Sequence, residues 1–202
     1  MIEDKSLKRA IKTAVKHGGC CLWINRGSGN VNLWTEDWMA ATDALEMKRH
    51  LRESMGLLVE MLGYLPERPV KIIKGNGEYV EAGMLPEVAE AEINGFLGDG
   101  LEEVARLPLT WRGHTLWESE ARRIYGVDAG APTCMSKGHH INGNGCITAV
   151  DEDNGEGVFV RCFDKGHRTD EEWEELRHLE SYEWHRWERE CGVEQMEVEE
   201  DE

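Results

Sequence analysis

The sequence predicts an α+β fold: helices packed on short antiparallel hairpins, with a C-terminal zinc-pinned hairpin followed by a long acidic helix. Three observations predict it. Apolar residues recur at helical spacing in some stretches and alternate in short runs in others, with Gly and Asn between them. A six-residue motif, C-x-x-K-G-H, occurs twice, as Cys134-Met135-Ser136-Lys137-Gly138-His139 and as Cys162-Phe163-Asp164-Lys165-Gly166-His167. Acidic charge gathers towards the C-terminus: residues 151–202 hold 20 Asp and Glu against 6 Lys and Arg.

The elements follow in order. Leu7, Ala10, Ile11, Ala14 and Val15 form one stripe of a helix over 3–17, with Lys5, Lys8, Arg9, Lys12 and Lys16 mostly off it; Gly18-Gly19 ends it. Residues 20–24 and 31–34 flank a polar loop and read as a hairpin. Thr35 reads as the N-cap of a long helix over 37–62 carrying Trp38, Ala41, Leu45, Leu51, Met55, Leu58 and Met61. Residues 70–74 and 78–82 face each other across Gly75-Asn76-Gly77, a second hairpin. Pro86 opens a short helix over 87–97, and 101–107 reads as one or two further helical turns. A third hairpin joins 109–111 to 115–118 across Arg112-Gly113-His114.

The composition shifts around 126–133, which sets a domain boundary between 1–127 and 128–192. Beyond it lie the first motif, a Gly/Asn loop, strands over 146–150 and 158–163, and a capping box at Thr169-Asp170-Glu171-Glu172. That box opens a helix to about residue 190, and 193–202 reads as an acidic disordered tail.

The repeated motif carries the clearest chemistry. Zinc takes four soft or borderline ligands in a tetrahedron, often as two pairs, and each copy supplies one thiolate and one imidazole. The expected ligands of a structural zinc ion are Cys134, His139, Cys162 and His167, with His140 and Cys146 as substitutes. The chain shows no secretory leader behind Met1-Ile2-Glu3-Asp4-Lys5 and no apolar run long enough to span a bilayer, so a cytoplasmic protein is expected. In that reducing compartment Cys is more often a ligand or a buried apolar residue than half of a disulfide. Cys20 and Cys21 read as buried.

His140, Asn154 and His167 supply a second reading. Their order around a hairpin resembles the HNH nucleases, in which a first His activates water, an Asn holds the loop and a last His binds the catalytic metal. The resemblance covers about 35 residues and implies those roles for these three residues. No P-loop follows the Gly-rich turns, because neither is trailed by Lys and Ser or Thr.

Charge narrows the partners. The chain carries a net −17, which repels nucleic acid and anionic membrane and suits a basic protein surface. Asp170, Glu171, Glu172, Glu174, Glu175, Glu180 and Glu183 surround a Trp stripe on the last helix and are the expected partner-binding residues. A dense carboxylate surface imitates a phosphate backbone. The expected function is therefore a zinc-stabilised protein-binding module, non-enzymatic, that inhibits a nucleic-acid-binding enzyme by DNA mimicry in the manner of anti-restriction or anti-CRISPR proteins. A purely structural zinc adaptor is the remaining alternative.

Overall fold

A computed structural model describes residues 2–43, 49–133, 138–151 and 155–162, together with Glu174, Glu175 and His178. Antiparallel strands dominate it. The elements run α1 Asp4–His17, β1 Cys20–Asn25, β2 Asn30–Trp34, β3 Trp38–Asp43, α2 Arg49–Leu62, β4 Val70–Gly75, β5 Glu78–Gly83, α3 Pro86–Asn94, β6 Glu102–Trp111, β7 His114–Ser119, β8 Ile124–Asp128, β9 His140–Ile141, β10 Cys146–Asp151 and β11 Glu156–Arg161. Among the described residues these eleven strands join one sheet in the order β5-β4-β1-β2-β3-β11-β10-β9-β6-β7-β8.

This overturns the expected architecture of helices packed on short hairpins. The hairpins β1–β2, β4–β5 and β6–β7 form as expected, but they are parts of one continuous sheet. Two stretches expected to be helical are strands. Residues 38–43 leave the predicted long helix and become β3, so α2 spans only Arg49–Leu62. Trp38 and Ala40 of β3 face one core while Met39 faces another. A strand buried on both faces shows no alternation of apolar and polar residues, and its run of Trp, Met and Ala imitates a helix. Residues 102–107 likewise open β6, which pairs with β7 on one side and β9 on the other.

The winding repeats. A helix leads into the three-stranded meander β1-β2-β3, and β4 then returns to pair antiparallel with β1. After α3 the meander β6-β7-β8 forms, and β9 returns to pair antiparallel with β6. The two halves meet where β3 pairs with β11, Ala40 opposite Val158 and Trp38 opposite Val160. The predicted boundary near residue 127 falls at the end of β8, and strands on both sides of it share the sheet.

The amphipathic stripe of α1 packs as its spacing predicts. Leu7, Ala10, Ile11 and Val15 join Leu22, Leu33, Val70, Ile72, Val158 and Val160 in the larger core, with Leu58 of α2. The other face of the sheet is covered by α3, whose Ala89 and following Phe96 pack on Cys21, Trp23, Trp34, Met39 and Cys146. Burying a side chain of Leu or Ile size contributes about 1.5–3 kcal/mol, so these two layers hold the sheet from both sides. The N-terminus is tied across the sheet: Ile2 N–H donates to the Glu156 carboxylate at 2.9 Å and Glu3 N–H to the Thr133 carbonyl at 3.0 Å.

Candidate functional site

The candidate metal residues that the structure describes sit around β9, β10 and β11. Cys134 and His167 lie outside the described residues, as does Asn154. The other four are placed by the strand registers. Ile147 of β10 is opposite Ile141, and Thr148 opposite His140. Val104 N–H donates to the His139 carbonyl at 2.9 Å, which carries the β6–β9 ladder one residue further. His139 thus stands level with Ala149. On the other side of β10, Cys146 is opposite Arg161, and Cys162 N–H donates to the Gly145 carbonyl at 2.9 Å.

His139 and Cys162 are consequently separated by two strand spacings across the sheet and by the length of β10 from Gly145 to Ala149. At about 4.8 Å between strands and about 3.3 Å per residue, their Cα atoms stand on the order of 15 Å apart. A thiolate and an imidazole sharing one zinc ion stand about 10 Å apart or less at Cα, given metal–ligand bonds of about 2.0–2.3 Å. The sheet therefore keeps the two copies of the motif from closing on one ion through these residues. His139 instead lays its ring against Trp117, with centroids 4.6 Å apart and planes tilted by 45°. Cys162 is half-buried against the larger core.

The two substitute ligands face the other way. Strand alternation puts Cys146 and His140 on the α3 side, on neighbouring strands and offset by two residues, about 7–8 Å apart at Cα. They are the one pair of expected ligands that the described residues bring to the same patch of sheet. Cys146 is fully buried among Phe96, Met39 and Trp34, and burial pushes its thiol pKa up while Arg161 pulls it down. Among the described residues no cluster of three or more His, Cys, Asp or Glu is placed to hold a metal ion. Cys20 and Cys21 are buried as expected. Burial raises both thiols, and Cys21 reaches about 12 with help from the Glu92 carboxylate.

Beside Cys146 the structure shows a polar hub that sequence reasoning treated as a plain loop. Asn142, 6% exposed, donates through Nδ2 to the Phe96 carbonyl at 2.7 Å. Its Oδ1 accepts from Asn144 N–H at 3.1 Å and from Cys146 N–H at 3.0 Å. One side chain thus closes the β9–β10 turn and ties it to the end of α3. Gly143 in that turn lies so close to the Asp99 carbonyl that an added Cβ would stand 2.6 Å from it. The only signal in the sequence was the density of Asn and Gly over 142–145.

Of the expected partner-binding carboxylates, Glu174 and Glu175 are described; Asp170, Glu171, Glu172, Glu180 and Glu183 lie outside. Both described residues are helical and exposed. Glu175 is anchored: its carboxylate accepts from Trp111 Nε1 at 2.9 Å and from an Arg112 guanidinium nitrogen at 3.3 Å. The Arg112 guanidinium lies 5.1 Å from the Trp111 ring centroid, so the tip of the β6–β7 hairpin forms a small aromatic and cationic seat for it. No helix among the described residues is long and apolar enough to cross a membrane. Compared with known proteins, the chain matches no family model, no curated protein and no solved structure.

Proposed function

We propose that the chain is a protein-binding module that presents its acidic C-terminal segment to a basic partner surface. In its specific form it inhibits a nucleic-acid-binding enzyme by imitating a phosphate backbone, as anti-restriction and anti-CRISPR proteins of mobile elements do, and it acts in the cytosol. One observation carries the reading: a net −14 over residues 151–202 against −3 over the preceding 150 residues. The seat that Trp111 and Arg112 offer Glu175 supports it. A rigid hairpin tip that holds one carboxylate lowers the ordering cost of presenting its neighbours. This support does not need a metal. Zinc, as part of the proposal, requires the copies of the motif to act separately, Cys134 with His139 or Cys162 with His167, each completed by other donors.

The test is a binding panel of basic nucleic-acid enzymes at low and moderate salt. Reversing Glu171, Glu172 and Glu174 to Lys should abolish capture, and added salt should weaken the unaltered protein. Capture that ignores both changes would end the mimicry reading. Glu175→Gln is kept as a separate variant, because it tests the anchor and leaves the neighbouring carboxylates intact. Elemental analysis with a thermal melt, with and without chelator, tests zinc. Bound zinc whose removal lowers the Tm supports a structural ion, and metal-free protein with an unchanged melt removes zinc from the proposal alone.

A further inference from the structure

The two edges of the sheet differ. At one, β8 buries Ile124, Gly126 and Val127. At the other, all six residues of β5, Glu78–Gly83, are exposed. An edge strand presents unpaired backbone donors and acceptors, and proteins normally blunt it with charge, proline or a cover. Between Glu78 and Glu81, β5 shows Val80, 58% exposed, beside Ile73, 38% exposed, its partner on β4. Leu85 and Val88 at the start of α3 are exposed as well.

The backbone parity of this edge is set by its turn. Asn76 and Gly77 both have positive φ, 48° and 89°, as a two-residue type I′ loop requires. Such a loop closes on a pair that exchanges both backbone bonds, here Gly75 and Glu78, and bonding then alternates along the strand. Met84 N–H donates to the Pro69 carbonyl at 2.8 Å, in phase with that alternation. Glu78, Val80 and Ala82 thus bond inward to β4, while Tyr79, Glu81 and Gly83 point N–H and C=O outward.

We propose that β5 pairs antiparallel with β5 of a second copy of this chain, about a two-fold axis at Val80. In this register Val80 meets Val80 at a non-hydrogen-bonded position, where Cβ atoms approach most closely. Tyr79 meets Glu81 of the second copy, and the two exchange both of their outward backbone bonds. Glu78 meets Ala82. The two nearest registers of the same parity are worse. Centring on Glu81 sets two carboxylates face to face, and centring on Tyr79 opposes Val80 to Glu78. The hairpin is also locally neutral, with Lys71 and Lys74 balancing Glu78 and Glu81, so a chain of net −17 meets its copy at a segment without net charge. The pairing joins two sheets into one and brings the exposed Val80 side chains of the two copies together.

Sedimentation of the full chain across a concentration range tests this. The expected result is a reversible dimer. Glu81→Pro removes an outward N–H and no bond to β4, so it should weaken the dimer at least tenfold with the far-ultraviolet spectrum and melt preserved. Tyr64→Phe is the control: it removes the bond from the Tyr64 hydroxyl to the Glu81 carboxylate, keeps the outward N–H, and should leave the dimer intact. Val80→Cys should cross-link across the axis under mild oxidation beyond the background of the unaltered chain, and Ile73→Cys should not. A chain that stays monomeric overturns the proposal and leaves the edge to a foreign strand. A dimer indifferent to Glu81→Pro, or no gain in cross-linking at Val80, overturns it as well.

Discussion

The two halves of the sheet are wound alike and finished differently. Each runs helix, three-stranded meander, then a return strand beside the first strand of the meander. The last strand of the first half is β5, exposed throughout. The last strand of the second half is β11, and it is the seam: Val158 and Val160 are 3% and 7% exposed and stand opposite Ala40 and Trp38. The counterpart of β5 beside the return strand of the second half is β10, and there one further strand, β11, is added, so one half ends in an open edge and the other in the centre of the sheet. Side chains decide which. Val158 and Val160 face α1 and the larger core, whereas β5 interposes Glu78 and Glu81 around a single Val.

The strongest way to break this comparison is to make one kind of change in both places. Trp38, 5% exposed, fills the seam from β3. Trp38→Ala should cost about 3–5 kcal/mol by the loss of transfer energy and the cavity left behind. Val80→Ala on β5 should stay within about 0.5 kcal/mol for the folding of one chain. Urea titration, read at a concentration that keeps the chain monomeric, compares the two directly. Equal effects would mean that the halves are not joined at β3–β11.

How far the sequence anticipated this arrangement depends on the range of the interaction. The turn chemistry of Asn76-Gly77 and the stripe of Leu7, Ala10, Ile11 and Val15 are local, and the elements built on them form where expected. β3 and the start of β6 imitate helices in the sequence because a strand buried on both faces, or one carrying a bulge such as that between Arg106 and Thr110, loses its period of two. The order of strands rests on pairs such as Val158 with Ala40, more than a hundred residues apart, which no local pattern reports. The candidate site divides in the same way. The repetition of C-x-x-K-G-H is visible in one dimension, but the register that holds His139 and Cys162 apart belongs to the ladder. The charge of Glu175 is legible in the sequence and its seat on Trp111 and Arg112 is not, because a hairpin tip and a helix 63 residues away share no sequence signal.

Asn142 sharpens the comparison at intermediate scale, since only the second half pins its return turn through a buried side chain. Asn142→Ala would leave the Phe96 carbonyl and the Cys146 N–H without their partner. At about 1–3 kcal/mol for each of these two buried groups left unsatisfied, the expected loss is about 2–6 kcal/mol. Asn30→Ala, at an exposed strand start in the first half, should change stability by less than about 0.5 kcal/mol. Hydrogen exchange should localise the loss in the Asn142 variant to residues 96–99 and 142–147. Uniform acceleration across the sheet would show that the hub acts globally and not as a pin on one turn.

The smallest effect lies where the halves approach end to end. Asp37 precedes β3 and Asp128 ends β8. The Asp37 carboxyl pKa is raised, first by burial, then by the charges of Glu36 and Asp128, with Arg161 opposing. A carboxyl whose folded pKa exceeds its unfolded value of about 3.8 favours the folded state when protonated. Its contribution is present below that value and is lost as pH rises through the folded pKa, so at pH 7 the ionised group is a small burden. Asp37→Asn should raise the Tm at pH 7, and its advantage should shrink to nothing as pH falls below about 4. Asp37 is partly open to solvent, so the gain should remain under about 1 kcal/mol once screening is counted. Asp128→Asn should give a smaller gain of the same sign, and the double variant should fall short of the sum, because each change relieves the same repulsion. Strict additivity would mean that the two carboxylates do not repel each other in solution.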